Sequence, residues 1–229
     1  MKRPLALDLY SGAGGAGVGL YRAGFDVEGV DIKAQPNYPT HRGMSFVQRD
    51  ALSMPIEYLR RFSFVWASPP CQSHTAMKTM HNAKAHDDLI PATRAMLRAS
   101  GVLYVIENVQ GAPLEDPVTL CGTMFGLGVP GAELRRHRGF EANFLIPRLE
   151  CRHGLQSATI GLYGGHVRNR KRREGSHARG VADFSVAEGY AAMGIDWMNL
   201  VELSESIPPA YAEYVGLAAR AALLRSRAA

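Results

Sequence analysis

The chain has 229 residues, of which 46% are hydrophobic and 21% charged, and its formal net charge is +5. These ordinary values exclude wholesale disorder, and the length suits one substantial core with a small additional unit. The sequence has no apolar run of about eighteen residues, so it predicts no transmembrane helix. We expect a soluble, cytoplasmic monomer that does not bind membranes.

The first half of the chain alternates short apolar runs with helix-like stretches, which is typical of a parallel sheet covered by helices. The predicted strands are Leu5–Leu9, Val27–Asp31, Ser45–Gln48, Phe62–Ala67 and Val102–Glu107. The predicted helices are Gly15–Ala23, Pro55–Arg60 and Asp87–Arg98. This pattern predicts an α/β fold, in which ligands bind at the carboxyl ends of the strands.

The second half is richer in glycine and proline, and helical character returns in Val186–Met193 and Pro209–Ser226. The stretch from Arg148 to Arg179 contains eight arginines and lysines and two acidic residues, a net charge of +6. Positive charge concentrated in one segment predicts a polyanionic partner, with an ordinary solvated loop as the alternative.

A glycine-rich turn follows the first predicted strand and is the first candidate site. Glycines permit a tight turn and bring backbone amides close to a ligand. The spacing from Gly12 onward does not match the dinucleotide-binding pattern cleanly, so a dinucleotide, S-adenosylmethionine and no ligand all remain open. Asp31, which ends the second strand, suits a pair of ribose hydroxyls, and Asp50 suits an adenine amino group.

Cys71 is the second candidate, because it follows a buried-looking strand and two prolines. The prolines stiffen the backbone and place the thiol at the carboxyl edge of the sheet. A lone cysteine is more often a small buried hydrophobe, but polar Gln72 and Ser73 come directly after this one. The position therefore favours a nucleophile.

Glu107 is the third candidate, because it ends another apolar strand. A carboxyl group with restricted solvation has a raised pKa and can donate a proton. A salt-bridged or helix-capping acid is the alternative. Neighbouring strands would bring Glu107 and Cys71 to one pocket.

Three short motifs occur in order along the chain: Asp8-Leu9-Tyr10-Ser11-Gly12-Ala13-Gly14-Gly15, Pro70-Cys71-Gln72 and Glu107-Asn108-Val109. They resemble the signature of the DNA (cytosine-5) methyltransferase family, which reads D-L-F-x-G-x-G-G, P-C-Q and E-N-V. The chain is similar to a compact member with a short target-recognition segment. The resemblance implies a Rossmann-like fold of S-adenosylmethionine-dependent methyltransferases, that is, a mostly parallel sheet flanked by helices.

Weaker similarities continue to the end of the chain. Arg136 and Arg138 resemble the family's paired arginines, and the segment from Ser185 to Trp197 resembles its recognition-domain support segment. The stretch from Ser204 to Pro209 is similar to the last motif, G-N-A-V-P-P, with Glu205 in place of the asparagine. That replacement leaves a modified S-adenosylmethionine open as the donor.

The resemblance implies that Cys71 attacks cytosine, that Glu107 and Arg138 contact the base, and that Arg136 belongs to the same catalytic group. The implied cofactor is S-adenosylmethionine, with S-adenosylhomocysteine as product, and the implied partner is double-stranded DNA. The candidate cofactor contacts are Asp8, Tyr10, Gly12, Gly14, Gly15, Asp31, Ile32, Asp50, Ala51, Pro69, Ser206 and Ile207. The candidate DNA contacts are Gln72, Ser73, Lys78, Arg168, Arg170, Lys171, Arg172 and Arg173.

We expect residues 1–142 to form the catalytic and cofactor-binding domain, 143–183 the basic recognition segment, and 184–229 the return to the catalytic domain. The small size suits a bacterial or phage-infected cell. The same chemistry on tRNA or a cytosine nucleotide, and a catalytically silent DNA-binding protein, remain alternatives.

The three cysteines, Cys71, Cys121 and Cys151, form no CxxC pair, which argues against a disulfide framework or a four-thiolate zinc site. Cys151 and His153, with His166 or His177, offer zinc ligands, but their spacing matches no strong pattern. We therefore expect no metal.

Overall fold

The structure is a computed structural model that describes residues 2–70, 88–170 and 182–226. The described strands are β1 (Leu5–Leu9), β2 (Asp26–Asp31), β3 (Met44–Gln48), β4 (Phe64–Ala67), β5 (Leu103–Val109), β6 (Val118–Leu120), β7 (Gly128–Val129), β8 (Ala132–Leu134), β9 (Arg138–Ala142), β10 (Ala158–Tyr163) and β11 (His166–Asn169). The described α-helices are α1 (Gly15–Arg22), α2 (Ile56–Leu59), α3 (Ile90–Ser100), α4 (Val186–Met193), α5 (Leu200–Glu205) and α6 (Pro209–Ser226). Short 3-10 turns cover Ala51–Ser53 and Gly122–Phe125.

Seven strands form a large sheet in the order β3-β2-β1-β4-β5-β9-β6. Strands β1 to β5 are parallel to one another, whereas β9 is antiparallel to both β5 and β6. The strand order reverses between β1 and β4, and ligands of such sheets bind beside the carboxyl ends of the strands at that point. The predicted α/β architecture is confirmed.

Helices cover both faces of the large sheet. On one face, Leu20 of α1 and Tyr211 of α6 pack in one cluster with Trp66 of β4. On the other face, Leu97 of α3 packs in a second cluster with Val65 of the same strand. Because β4 is covered on both sides, all four of its residues are apolar and buried.

Helix α3 begins at Ile90 and not at the predicted Asp87, which lies outside the described residues. Pro91 occupies its first turn, where a missing amide is harmless, and Asp88 accepts a hydrogen bond from the amide of Ile90 at 3.0 Å. The helix ends at Gly101, whose φ of 69° is the left-handed conformation that glycine adopts most easily.

A second sheet of four strands has the order β11-β10-β8-β7. Its apolar side chains, including Ile160 and Leu162, pack against Met193 of α4 and Leu203 of α5. None of its strands was predicted, and neither was α5. Because β8 pairs in parallel with β10, the small sheet crosses the boundary expected at residue 143.

None of the helices within residues 2–70, 88–170 and 182–226 combines the length and hydropathy needed to cross a membrane.

Candidate functional site

The glycine turn and the Pro69–Pro70 segment leave the large sheet side by side. The turn follows β1 and the prolines follow β4, and these strands are parallel neighbours paired up to Leu9 and Ala67. The amide of Ser68 donates to the carbonyl of Leu9 at 3.2 Å, just before the two segments diverge. Two of the sequence motifs therefore meet where the strand order reverses.

The glycine turn packs against the last of the predicted motifs. A Cβ atom added to Gly15 would lie 2.1 Å from Oγ of Ser206 and 2.7 Å from the carbonyl oxygen of Ile207, so only glycine fits. Tyr10, with φ of 58°, hydrogen-bonds through its hydroxyl to Oγ1 of Thr93 at 2.8 Å. Ser206 and Ile207 thus lie against the turn, and their contact with a cofactor stays a prediction.

Trp197, from the predicted support segment, also holds this turn. Its indole Nε1 donates to the carbonyl of Ala13 at 2.8 Å. Glu205, which replaces the family's asparagine, is exposed at the end of α5, whereas Ser204 is buried. The atoms of this segment that lie closest to Gly15 of the turn are therefore Oγ of Ser206 and the backbone carbonyl oxygen of Ile207, not the side chain of Glu205.

Asp31 lies at the carboxyl end of β2 and contacts the glycine turn directly. Its Oδ2 accepts from the amide of Gly12 at 3.0 Å and its Oδ1 from the amide of Lys33 at 2.9 Å. A carboxylate offers about four acceptor positions, so Asp31 can still accept from two hydroxyl groups.

The surroundings of Asp31 can accommodate a nucleoside. A Cβ atom on Gly12 would meet no described atom within 4 Å, so open space borders the turn. Ile32 is apolar yet 65% exposed, and it offers a surface for a flat ring. Asp50, after β3, is exposed and accepts from the amide of Leu52 at 3.0 Å.

Two other predicted cofactor contacts, Asp8 and Ala51, are buried beneath this edge. The Asp8 side chain is fully buried, and no hydrogen bond of ordinary geometry from a described residue reaches either of its carboxylate oxygens, although the Gly17 amide is near. Burial raises the pKa of Asp8 to about 8, and the carboxylates of Asp31 and Glu107 add to the rise. Asp8 is therefore largely neutral at pH 7.

Glu107 lies inside β5, because the strand continues to Val109, two residues past the predicted end. The antiparallel partner β9 pairs with this extension and places Phe140 opposite Glu107. The carboxyl group is 6% exposed, and Nε of Arg138 lies 3.2 Å from its Oε1. Burial raises the pKa of Glu107, as expected, while Arg138 and a hydrogen bond with Ser68 limit the rise.

Asn108 joins β5 to the segment that leads into the predicted nucleophile. Its Nδ2 donates to the carbonyl of Pro69 at 2.9 Å, and both residues are buried. The sequence indicated Asn108 only as part of a motif and assigned it no role. Cys71 lies outside the described residues, as do Gln72, Ser73, Lys78 and the three histidines of the following loop.

The two paired arginines have different surroundings. Arg136 is buried and donates to the carbonyls of Leu162, Ser204 and Ser206, which connects the small sheet with the end of α5. Arg138 is paired with Glu107 instead. These contacts suit Arg136 to positioning and Arg138 to contact with a substrate.

A cleft of about 290 Å³ opens between the two sheets beside this pair. Its lining includes Gln110, Tyr163 and the four arginines Arg135, Arg136, Arg138 and Arg170. Of the predicted DNA contacts, Arg170 therefore faces the cleft, while Arg168 forms an ion pair with Asp183. Lys171, Arg172 and Arg173 lie outside the described residues.

The zinc ligands suggested by the sequence are only partly those that the structure brings together. Cys151 and His153 lie near each other, but the groups that join them are Cys121 and His137, and His166 is not among them. His177 lies outside the described residues. The expectation that the protein binds no metal stays a prediction.

Comparison with solved structures finds similar folds along nearly the whole chain. A prophage-encoded E. coli protein, provisionally assigned as a DNA modification methyltransferase, matches with a TM-score of 0.62 at 16% identity and covers 97% of this chain and 99% of its own. The Dnmt2 methyltransferase of S. pombe matches with a TM-score of 0.62 at 16% identity, covering 96% and 99%. The Entamoeba histolytica methyltransferase EhMeth matches with a TM-score of 0.61 at 12% identity, covering 97% and 99%.

Searches against protein-family models and against curated proteins gave no match. At these identities the structural similarity concerns the fold alone. The chain has a Rossmann-like fold, a mostly parallel sheet flanked by helices, similar to the fold of these methyltransferases, as predicted.

Proposed function

We propose that the protein transfers a methyl group from S-adenosylmethionine to carbon 5 of cytosine in double-stranded DNA, with Cys71 as the nucleophile. The observation that carries this proposal is the position of Glu107. Its buried carboxyl lies 3.2 Å from Arg138, and the adjacent Asn108 holds the carbonyl of Pro69, two residues before Cys71. The acid and the segment leading to the thiol thus start from one edge of the sheet.

The chemistry explains why a thiol and an acid are needed together. Carbon 5 of cytosine is a weak nucleophile until the Cys71 thiolate adds to carbon 6 and pushes an electron pair toward carbon 5. Carbon 5 then takes the methyl group. Loss of the carbon 5 proton, with an ordered water as base, and elimination of the Cys71 thiolate restore the aromatic ring.

Glu107 and Arg138 stabilise the charge that develops on the ring. A protonated carboxyl can hydrogen-bond ring nitrogen 3, and the raised pKa of Glu107 favours that form. Arg138 is close enough to Glu107 to address the neighbouring carbonyl oxygen of the base. Arg136 positions the start of β9, where Arg138 lies, through its contacts with three backbone carbonyls.

The residues around the glycine turn would hold the cofactor, which supplies the methyl group on its sulfonium. Asp31 would accept from the ribose hydroxyls and Ile32 would pack against the adenine, with Asp50 near the exocyclic amine. The open space beside Gly12 and the exposure of Ile32 support this assignment. Ser206, which follows α5, packs against Gly15 of the same turn, and Pro69 follows β4, the parallel neighbour of β1.

The arginine-lined cleft supports a nucleic acid as substrate. The four arginines that line the cleft beside Arg138 provide positive charge that attracts phosphates, and Arg170 offers donors that can read a guanine edge. A base inside a duplex cannot reach a buried carboxyl, so the cytosine must be extruded, at a cost of a few kcal/mol.

Trapping on DNA tests the proposal directly. Duplex DNA containing 5-fluorocytosine blocks the proton loss, so the protein should form a covalent adduct after methyl transfer. The adduct should require S-adenosylmethionine and disappear in Cys71→Ser, while Cys121→Ser, if folded, should retain it. No adduct with folded wild-type protein on DNA of mixed sequence would overturn the proposal and favour a silent DNA-binding protein.

The acceptor and donor are tested separately. Labelled cofactor is incubated with duplex DNA, tRNA and dCMP, and we expect label in the DNA alone. Label confined to tRNA or dCMP would overturn DNA as the substrate but leave the Cys71 chemistry in place. The mass of the modified base should equal that of 5-methylcytosine, and a heavier base would establish a modified donor.

A further inference from the structure

Four metal-ligand side chains meet next to the proposed active site, and none of them belongs to the groups that would contact the base or the cofactor. Cys121, His137, Cys151 and His153 each offer one ligand atom, and these four atoms all lie within 4.8 Å of one another. Sγ of Cys121 lies 3.4 Å from Nε2 of His153, and Sγ of Cys151 lies 3.4 Å from Nε2 of His137. No step of the proposed methyl transfer uses any of the four.

The fold explains how these residues come together. Strands β6 and β9 are antiparallel, with Leu120 opposite Arg138. Cys121 and His137 are therefore the next pair beyond the end of this ladder. Cys151 and His153 come from the loop between β9 and β10, which folds back over that end.

The distances agree with a tetrahedral ion. Zinc binds histidine nitrogen at about 2.0–2.1 Å and cysteine sulfur at about 2.3 Å, so neighbouring ligand atoms lie roughly 3.3–3.8 Å apart. Both sulfur–nitrogen contacts of 3.4 Å fall in this range. Cys121 is buried, whereas Cys151 and His153 are exposed. Rotation of these two exposed side chains can bring the ligand atoms that are further apart into the range of a bound ion.

A second layer of hydrogen bonds holds the ligands in place. Oγ1 of Thr123 lies 3.4 Å from Sγ of Cys121 and accepts from the amide of Arg152 at 3.2 Å, which joins the two halves of the cluster. The buried carboxylate of Glu133 accepts from the amide of Gly154 at 2.9 Å, directly after His153. Such outer contacts are typical of metal sites, whose ligands must be oriented before the ion binds.

We propose that Cys121, His137, Cys151 and His153 bind one structural Zn²⁺ ion. Two thiolates and two imidazoles in a tetrahedron are the donor set that zinc prefers, and four protein ligands leave no open position for catalysis. Two thiolates neutralise the ion, and binding releases their protons, so affinity falls in acid. The ion fastens the loop after β9 to the large sheet, and it fixes His137 between Arg136 and Arg138.

The experiment measures metal in the full-length protein, purified without added chelator and again after dialysis with zinc. We expect about one zinc ion per chain. Replacing zinc with Co²⁺ should give the visible absorption of a tetrahedral site and a thiolate charge-transfer band. The matched variants are Cys151→Ala and His153→Ala, which change exposed ligands, and His166→Ala, which changes an exposed histidine outside the cluster.

Both ligand variants should lower zinc affinity by about tenfold or more, whereas His166→Ala should bind like the wild type. Circular dichroism establishes that each variant is folded. The proposal is overturned if folded wild-type protein retains no zinc, or if all three variants bind it equally. Mass spectrometry of the isolated protein without reductant tests for a disulfide. The proposal is also overturned if the mass is lower by two hydrogens and the loss is assigned to a Cys121–Cys151 bond.

Discussion

The two sheets of the molecule are built in different ways. In the large sheet, β4 is a continuous apolar run and β1 and β5 are mostly apolar, so each of these patterns is visible in a few consecutive residues. In the small sheet, β7 and β8 come from one part of the chain and β10 and β11 from another, with the antiparallel β9 of the large sheet between them. Local patterns therefore predict the parallel part of the first sheet, while the second sheet depends on pairing between distant segments.

The charged groups of the two regions differ in the same way. The large sheet buries carboxyl groups at or below its functional edge, and Glu107 and Asp8 both have raised pKa values because of burial. Around the small sheet, arginines are held by backbone carbonyls and carboxylates of other segments. The large sheet thus supplies the proposed chemistry and the small sheet supplies positive charge.

The largest effect is expected at Glu107. Glu107→Gln keeps the shape of the side chain but removes the proton that stabilises the ring, so the methyl-transfer rate should fall by about 10²–10⁴-fold. Initial rates on duplex DNA measure the change. Glu115→Gln, at an exposed acid on the same protein, is the control and should keep the wild-type rate. A fall of less than about threefold for Glu107→Gln would remove Glu107 from the proposed mechanism.

Arg136 should have the next largest effect, because it joins the two sheets. Arg136→Ala leaves the carbonyls of Leu162, Ser204 and Ser206 without their donor, and the free energy of unfolding should fall by about 3 kcal/mol. Urea denaturation measures this change, with exposed Arg148→Ala as the control. Equal stability of the two variants would show that the sheets are not joined through Arg136.

Asp8 should make the stability of the large sheet depend on pH. Its pKa is about 8 in the folded protein and about 4 in the unfolded chain, so the folded state binds more protons between these values. This contribution to stability is fully present below about pH 4 and is lost by about 1.4 kcal/mol per pH unit up to about pH 8. Asp8→Asn should remove this slope when unfolding is measured from pH 5 to 8. An unchanged slope would mean that Asp8 is ionised when buried.

The smallest effect is expected from the arginines of β11 and its end. Arg170 faces the cleft and Arg168 is paired with Asp183, so Arg170→Ala should weaken DNA binding several-fold and lower the salt slope by about one, with a smaller effect of Arg168→Ala. Fluorescence anisotropy at several salt concentrations measures both quantities. A larger loss in Arg168→Ala would place the DNA on the other side of the small sheet.

Sequence patterns were sufficient for the five parallel strands of the large sheet but less so for their ends, and they did not predict its antiparallel strands β6 and β9. β1, α4 and α6 have the predicted bounds, whereas β5 extends two residues further because β9 provides an antiparallel partner. Asn108 illustrates the same limit at the site. Its motif was visible, but its hydrogen bond to Pro69 exists only because β4 and β5 are neighbours.

The sequence by itself determined the five parallel strands, the glycine turn, the placement of Glu107 on a buried strand, and the strand end that leads toward Cys71. These features follow from runs of a few residues, since parallel strands covered on both faces must be apolar and their ends must turn. Only the tertiary structure decided the different surroundings of Arg136 and Arg138, the burial of Asp8, and the meeting of Cys121 with His137. Those depend on antiparallel and parallel pairings between segments far apart in the chain, which no local spacing encodes.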